Sequence, residues 1–168
     1  MSFPVLHTYD PKRKTILYTD ASKLHVGGVL CQKLNDSDDS LVSIAFYSRS
    51  LRAPELSYPI QHQEMLSIVA CVAAFENFLL CAHFIVRVCS DHKSLTSSFR
   101  GLSKQACDRI TRWVQKTCCF NMDLYYMPGC DMHLSTLVAS RSLFYKKAIT
   151  VGSSKHRTFV VGLLVVGS

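Results

Sequence analysis

The stretch Ile16-Leu17-Tyr18-Thr19-Asp20-Ala21-Ser22 decides how the rest of the chain is read. Aromatic and β-branched residues make Ile16 to Thr19 a strand, and this apolar run feeds straight into a carboxylate with hydroxyl residues on either side. A strand entering a core does not carry an acid unless that acid is paired, capped or bound to a cation. Two other acids stand in comparable settings. Glu64 lies at the head of the longest apolar segment, and Asp91 follows the strand-like Phe84-Ile85-Val86-Arg87-Val88-Cys89. Three isolated carboxylates at element ends point to a metal site that the fold assembles from distant segments. Taken alone, Glu64 also reads as an ordinary helix-start acid favoured by the helix dipole.

Outward from this stretch, the chain reads as a mixed α/β domain. An extended lead-in over 1–12 carries Pro4 and Pro11, which discourage regular structure. The first strand runs from Thr15 to Asp20 and the second from Gly27 to Gln32, its glycines permitting close backbone approach. Asn35 to Ser40 is a polar, acidic loop and Leu41 to Tyr47 a third strand, so short connections imply an antiparallel meander. Arg49 to Tyr58, with Pro54, is irregular. Gln61 to Cys81 has apolar residues around most of a helical circumference and predicts a buried helix. Phe84 to Ser90 is the fourth strand. Lys104 to Cys118 is a second helix, with Arg109, Arg112 and Lys116 along one face beside the lone Trp113. A basic stripe beside an aromatic suits a phosphate backbone, and a solvated helix face has the same composition. Phe120 to Tyr126 is the fifth strand, stopped by Pro128-Gly129, and 130–145 is a short helix. The order β-β-β-α-β-α-β-α places the long helix as a crossover between strands three and four.

Composition sets the bounds. With 168 residues and 48% hydrophobic content, one domain can bury a core without staples. A net charge of +7 favours anionic partners, nucleic acid among them. The eight cysteines form no C-x-x-C pair and mostly fall in apolar runs, so buried reduced thiols explain them best. Cys130 and His133, near Cys118 or Cys119, form a zinc set of weak spacing. No signal peptide is visible at Met1-Ser2-Phe3-Pro4. The apolar Phe159 to Val166 is far shorter than the roughly 20 residues a membrane span needs. The expectation is a cytoplasmic or nuclear protein with no membrane contact.

Six blocks in order then resemble the ribonuclease H domain of gypsy-type LTR retrotransposon reverse transcriptases, collinear over about residues 4–141. Pro4-Val5-Leu6 with Asp10-Pro11 resembles the lead-in, and Thr19-Asp20-Ala21-Ser22 with Gly27 to Gln32 the T-D-A-S-x-x-G-x-G-x-V-L-x-Q block. Ile44 to Leu51 is similar to I-A-Y-x-S-R-x-L. Glu55-Leu56-Ser57-Tyr58 and Glu64-Met65-Leu66-Ser67-Ile68-Val69 are similar to E-x-x-Y and E-L-L-A-I-V. Ser90-Asp91-His92-Lys93-Ser94-Leu95 resembles T-D-H-x-x-L, and Arg112-Trp113, Phe120 and Tyr126-Met127-Pro128-Gly129 keep the spacing of R-W, the aromatic and Y-x-P-G.

The resemblance implies a ribonuclease H-like fold over 1–145, a five-stranded mixed sheet flanked by helices, with 146–168 a basic then apolar tail that matches nothing in the family. It also implies hydrolysis of RNA in RNA–DNA hybrids, with Asp20, Glu64 and Asp91 as the catalytic carboxylates holding Mg²⁺ (or Mn²⁺). It implies too a polymerase domain in a longer polyprotein. Met1 opens directly on the lead-in, so the expectation is either a segment cut from such a polyprotein or a stand-alone remnant.

Two departures stand out. The family's A-D-x-L-S-R supplies a fourth acidic ligand; counted forward from Pro128-Gly129 its place falls on Thr136, and counted back from Ser140-Arg141 on Leu137. Asp131 is the only acid nearby, close to the start of that helix. His25 stands where the family has a hairpin glycine. Losing ligand support costs about 10–100-fold in affinity or activity. Two readings follow: a weakened hybrid nuclease, or an inactive copy, decayed or adopted by its host, that keeps the fold for nucleic-acid binding or protein interaction. A proton-shuttling role for His92 or His62 is open on the sequence.

Overall fold

The computed structural model describes residues 6–34, 40–99, 108–128 and 158–161, with backbone alone for 97–99, 108 and 158–161. Six strands form one sheet in the order β5-β4-β1-β2-β3-β6. Strands β1 (Thr15–Ala21), β2 (His25–Lys33) and β3 (Leu41–Ser50) are the expected antiparallel meander. β4 (Val86–Ser90) lies parallel to β1, and β5 (Met122–Tyr126) parallel to β4. The five strands expected from the sequence are all present. A sixth, β6 (Thr158–Val161), comes from the tail and pairs antiparallel with Phe46 to Arg49 of β3.

β1 is central, and Thr15 to Thr19 are all buried. That explains a continuous apolar run where a half-exposed strand would alternate. Side chains still alternate between faces. Leu17 joins the core made with Met65, Ile68, Cys71 and Phe75, whereas Ile16 and Tyr18 pack with Cys31 and Cys89.

The long helix is α2 (Ile60–Ala74), followed by a short α3 (Glu76–Leu80). The expected single helix over 61–81 is broken at Phe75, whose φ of −104° and ψ of 14° leave helical geometry. Its ring is fully buried, edge-on to Tyr47 at 6.4 Å. A single turn, α1 (Ala53–Leu56), replaces the irregular stretch expected there, with Pro54 in the first turn where its missing N–H is harmless. A further helix, α4 (Lys93–Phe99), was not expected; Leu95 is its fully buried anchor. Helix α5 (Asp108–Thr117) packs on α2. The expected helix over 130–145 lies outside the described residues.

α2 can sit close to the sheet because of Gly28. A Cβ there would lie 2.5 Å from the Tyr18 carbonyl oxygen and 2.7 Å from Cys71 Sγ. Gly28→Ala must push the helix away or move β1, so its expected cost is about 1–3 kcal/mol, measured as a lowered urea midpoint.

The link from β3 to α2 is fixed by a two-pronged ion pair. Arg49 Nη1 and Nη2 donate to Glu55 Oε2 and Oε1 at 2.6 and 3.0 Å, and Glu55 Oε2 also accepts from the Arg52 amide at 2.7 Å. Burial alone would raise the Glu55 pKa, but these donors hold it below the ordinary value. A carboxylate depressed in the folded state stabilises fully above its unfolded pKa and loses that contribution as pH falls through the folded value. Glu55→Gln is therefore expected to cost about 2 kcal/mol at pH 7. Urea unfolding at a series of pH values should show the gap narrowing as pH falls below the ordinary carboxylate range and closing once Glu55 is protonated in the folded state.

Tyr9 and Asp10 tie the described part of the lead-in to the domain. Gln32 Nε2 donates to the Asp10 carbonyl at 2.8 Å, Asp10 N returns a bond to Gln32 Oε1, and the Tyr9 hydroxyl donates to the Phe78 carbonyl at 2.7 Å. Cys31, Cys71 and Cys89 are buried thiols, and no disulfide occurs among the described residues. Burial pushes Cys31 up to about 12 and Cys89 to about 11.

Candidate metal centre

Asp20, Glu64 and Asp91 each offer a carboxylate oxygen, and these three atoms lie within 4.8 Å of one another. The topology produces this. β1 and β4 run parallel, with Tyr18 opposite Cys89, so two residues on, Asp20 and Asp91 leave the same end of the sheet side by side. Glu64 reaches that end from α2, which packs across β1 and β2.

Glu64 departs from the expected position in one respect. The helix starts at Ile60 and has no acid in its first turn. Glu64 is thus the fifth helical residue, beyond the part of the helix where the dipole acts most strongly. It is also only 5% exposed. An ordinary helix-start acid would face solvent, so dipole stabilisation alone does not account for a buried Glu64.

Burial is graded across the three: Glu64 buried, Asp20 intermediate, Asp91 exposed. The cluster therefore opens toward solvent on the Asp91 side. Two carboxylates at 4.8 Å repel by roughly 3 kcal/mol at an effective dielectric of ~20, and by less where solvent screens Asp91. Hard oxygen donors converging in this way fit a divalent cation of the Mg²⁺, Mn²⁺ or Ca²⁺ type.

The comparisons with known proteins agree with this geometry. Residues 10–120 match the model of the RNase H-like domain found in reverse transcriptase. The chain belongs to that family.

Its curated relatives include the Transposon Tf2-3 polyprotein of Schizosaccharomyces pombe, 30% identical over 135 residues. The match takes in 80% of this chain and 10% of that polyprotein, so this RNase H-like domain spans about a tenth of its relatives' length. The foamy viral protease-reverse transcriptase in complex with RNA/DNA hybrid aligns at a TM-score of 0.51 and 14% identity, covering 74% of this chain and 16% of that one. RNase H1 from the halophilic archaeon Halobacterium salinarum NRC-1 aligns at 0.53 and 13% identity, covering 70% and 87%. At such identities the likeness shows a shared fold.

The remaining expected residues are distributed around this RNase H-like centre. On α5, Arg112 and Lys116 are exposed. Arg109 is half-buried, its guanidinium 4.1 Å from the centroid of the Tyr58 ring. Trp113 is half-buried too, its ring centroid 6.2 Å from Tyr58 and 6.4 Å from His62. It packs between α5 and α2 rather than standing clear beside a basic stripe. His62 lies in that aromatic group, its pKa lowered by burial and by Arg109. His92 accepts or donates through Nδ1 to the Ser94 hydroxyl at 2.8 Å. His25 opens β2, with its amide bonded to Ser22 Oγ. Among the zinc-compatible residues, Cys118 and Cys119 are exposed at the end of α5. Cys130, His133, Asp131, Thr136 and Leu137 lie outside the described residues. No helix among the described residues is long and apolar enough to cross a membrane.

Sequence reading missed Ser67. It is fully buried on α2, and its hydroxyl lies 2.8 Å from the Asp20 carbonyl oxygen and 3.0 Å from that of Gly27. Its one sequence signal is a serine where the family pattern has alanine.

Proposed function

We propose that this domain hydrolyses the RNA strand of RNA–DNA hybrids, using Mg²⁺ or Mn²⁺ held by Asp20, Glu64 and Asp91. The observation that carries the reading is the convergence of these carboxylates within 4.8 Å from three separate elements of an RNase H-like fold. Divalent ions bound there would activate a water and neutralise charge developing on the leaving oxygen of a phosphodiester. The chain's own part is to hold the donors. Glu64 supplies a fixed, dehydrated oxygen from the helix. Asp20 supplies one from the end of the central strand, and Asp91 one on the open side, where a phosphate can enter. The net charge of +7 and exposed Arg112 and Lys116 suit a polyanionic substrate. A similar fold, that of the foamy viral enzyme, has been solved with an RNA/DNA hybrid bound. Relatives of which the match covers only 10% favour a polymerase domain elsewhere in the same polyprotein.

A second reading rests on the sequence around the fourth ligand position, where neither Thr136 nor Leu137 is an acid. It makes the domain a catalytically inactive fold that still binds nucleic acid or a protein partner. Incubation with end-labelled RNA–DNA hybrid, RNA duplex and DNA duplex, each in Mg²⁺ and in Mn²⁺, separates the two. Metal-dependent cleavage confined to the RNA of the hybrid supports the nuclease. Salt-sensitive binding of hybrid with no cleavage supports the second reading.

A further inference from the structure

Ser67 links the elements that carry two of the three carboxylates. It lies three residues beyond Glu64 on α2, close to one helical turn, and its hydroxyl meets the backbone carbonyl of Asp20 itself at 2.8 Å. The Gly27 carbonyl lies 3.0 Å from the same hydroxyl, and Gly27 is the residue paired with Asp20 across β1 and β2. One buried O–H therefore bridges the helix that carries Glu64 to the strand pair that carries Asp20. One further turn along α2, Cys71 packs against Gly28, where a Cβ would lie 2.7 Å from its Sγ.

We infer that Ser67 is a positioning residue that sets the Asp20–Glu64 separation and thereby the affinity of this centre for a divalent cation. The inference rests on the metal-site reading above. Two anions on separate elements push those elements apart when no cation is bound, and apolar packing, being non-directional, resists a sideways shift of a helix poorly. A buried hydroxyl donating to a carbonyl is directional, and breaking it removes that tie between α2 and the strand pair. With an alanine a methyl takes the place of this directional link. The two oxygens would then occupy a wider range of separations, and a rigid octahedral ion such as Mg²⁺ tolerates that badly.

The test is Mn²⁺ titration by calorimetry on the full chain and on Ser67→Ala, with Tyr9→Phe as a control. The control removes another hydroxyl bond to a backbone carbonyl, from Tyr9 to Phe78 of α3. Ser67→Ala is expected to weaken Mn²⁺ binding about tenfold, at the lower end of what outer partners of metal ligands contribute, while Tyr9→Phe binds as the parent does. Ser67→Cys, nearly isosteric with a weak donor, should fall between and serves if the alanine variant folds poorly. Unchanged Mn²⁺ affinity in Ser67→Ala, or an equal loss in Tyr9→Phe, overturns the positioning role and leaves the metal site standing. A parent chain that binds no Mn²⁺ overturns the metal-site reading and this inference with it.

Discussion

Asp20→Asn is expected to eliminate hybrid cleavage, a loss on the order of a thousandfold, the upper range for removing one preorganised group that stabilises charge in a transition state. The substitution keeps size and shape and removes only the anion. Asp20 stands at the end of the central strand with both other acids within 4.8 Å, so its charge acts on any cation held there. Stability should move the opposite way. Without metal, the parent holds three mutually repelling carboxylates, and removing one relieves about 1–3 kcal/mol of repulsion at a half-exposed site. A variant that is dead but more resistant to urea in the absence of metal cannot be dismissed as misfolded. Equal cleavage by Asp20→Asn and the parent would remove Asp20 from the chemistry.

Thr136→Asp is expected to raise cleavage in Mg²⁺ by about 10–100-fold, the span associated with restoring or losing support at a metal centre. The position lies outside the described residues, and the expectation rests on the spacing from Pro128-Gly129 to the family's fourth acid. Three oxygen donors can hold one divalent ion with waters completing its shell; a second ion beside it needs more negative charge than three carboxylates supply. The gain should be larger in Mg²⁺ than in Mn²⁺, because Mg²⁺ gives up water less readily. Steady-state cleavage of labelled hybrid over a range of metal concentrations reads both effects. A variant no faster than the parent would move the fourth ligand elsewhere, or make it dispensable.

Asp20 and Asp91 drew notice because each follows a strand-like run, and the fold brings both, with Glu64, within 4.8 Å of one another. The meander and the parallel additions followed from apolar runs with short or helical connections. α4 was hidden because Lys93 to Phe99 is rich in Ser and Thr, which disfavour helix interiors in isolation, although the buried Leu95 anchors it. The break at Phe75 was invisible for a different reason. Apolar periodicity records which residues are buried, not whether the backbone bends to bury them. The setting of Glu64 turned on where the helix begins, which is the least certain feature of any helix read from its sequence. Trp113 read only as an aromatic beside a basic stripe because the sequence does not show that Tyr58 and His62 fold against it. Ser67 is the plainest case. Its two acceptors are carbonyls 47 and 40 residues away, and no local pattern announces such a bond.

The metal centre itself is tested most directly by adding Mn²⁺ in small steps to the isotopically labelled chain and following the paramagnetic broadening of its backbone amide signals. Signals around positions 20, 64 and 91 should vanish first and together, and Asp20→Asn should leave them sharp at the same Mn²⁺ concentration. Broadening that begins elsewhere, or that spreads evenly over the surface acids, would contradict a cation site built from these three carboxylates.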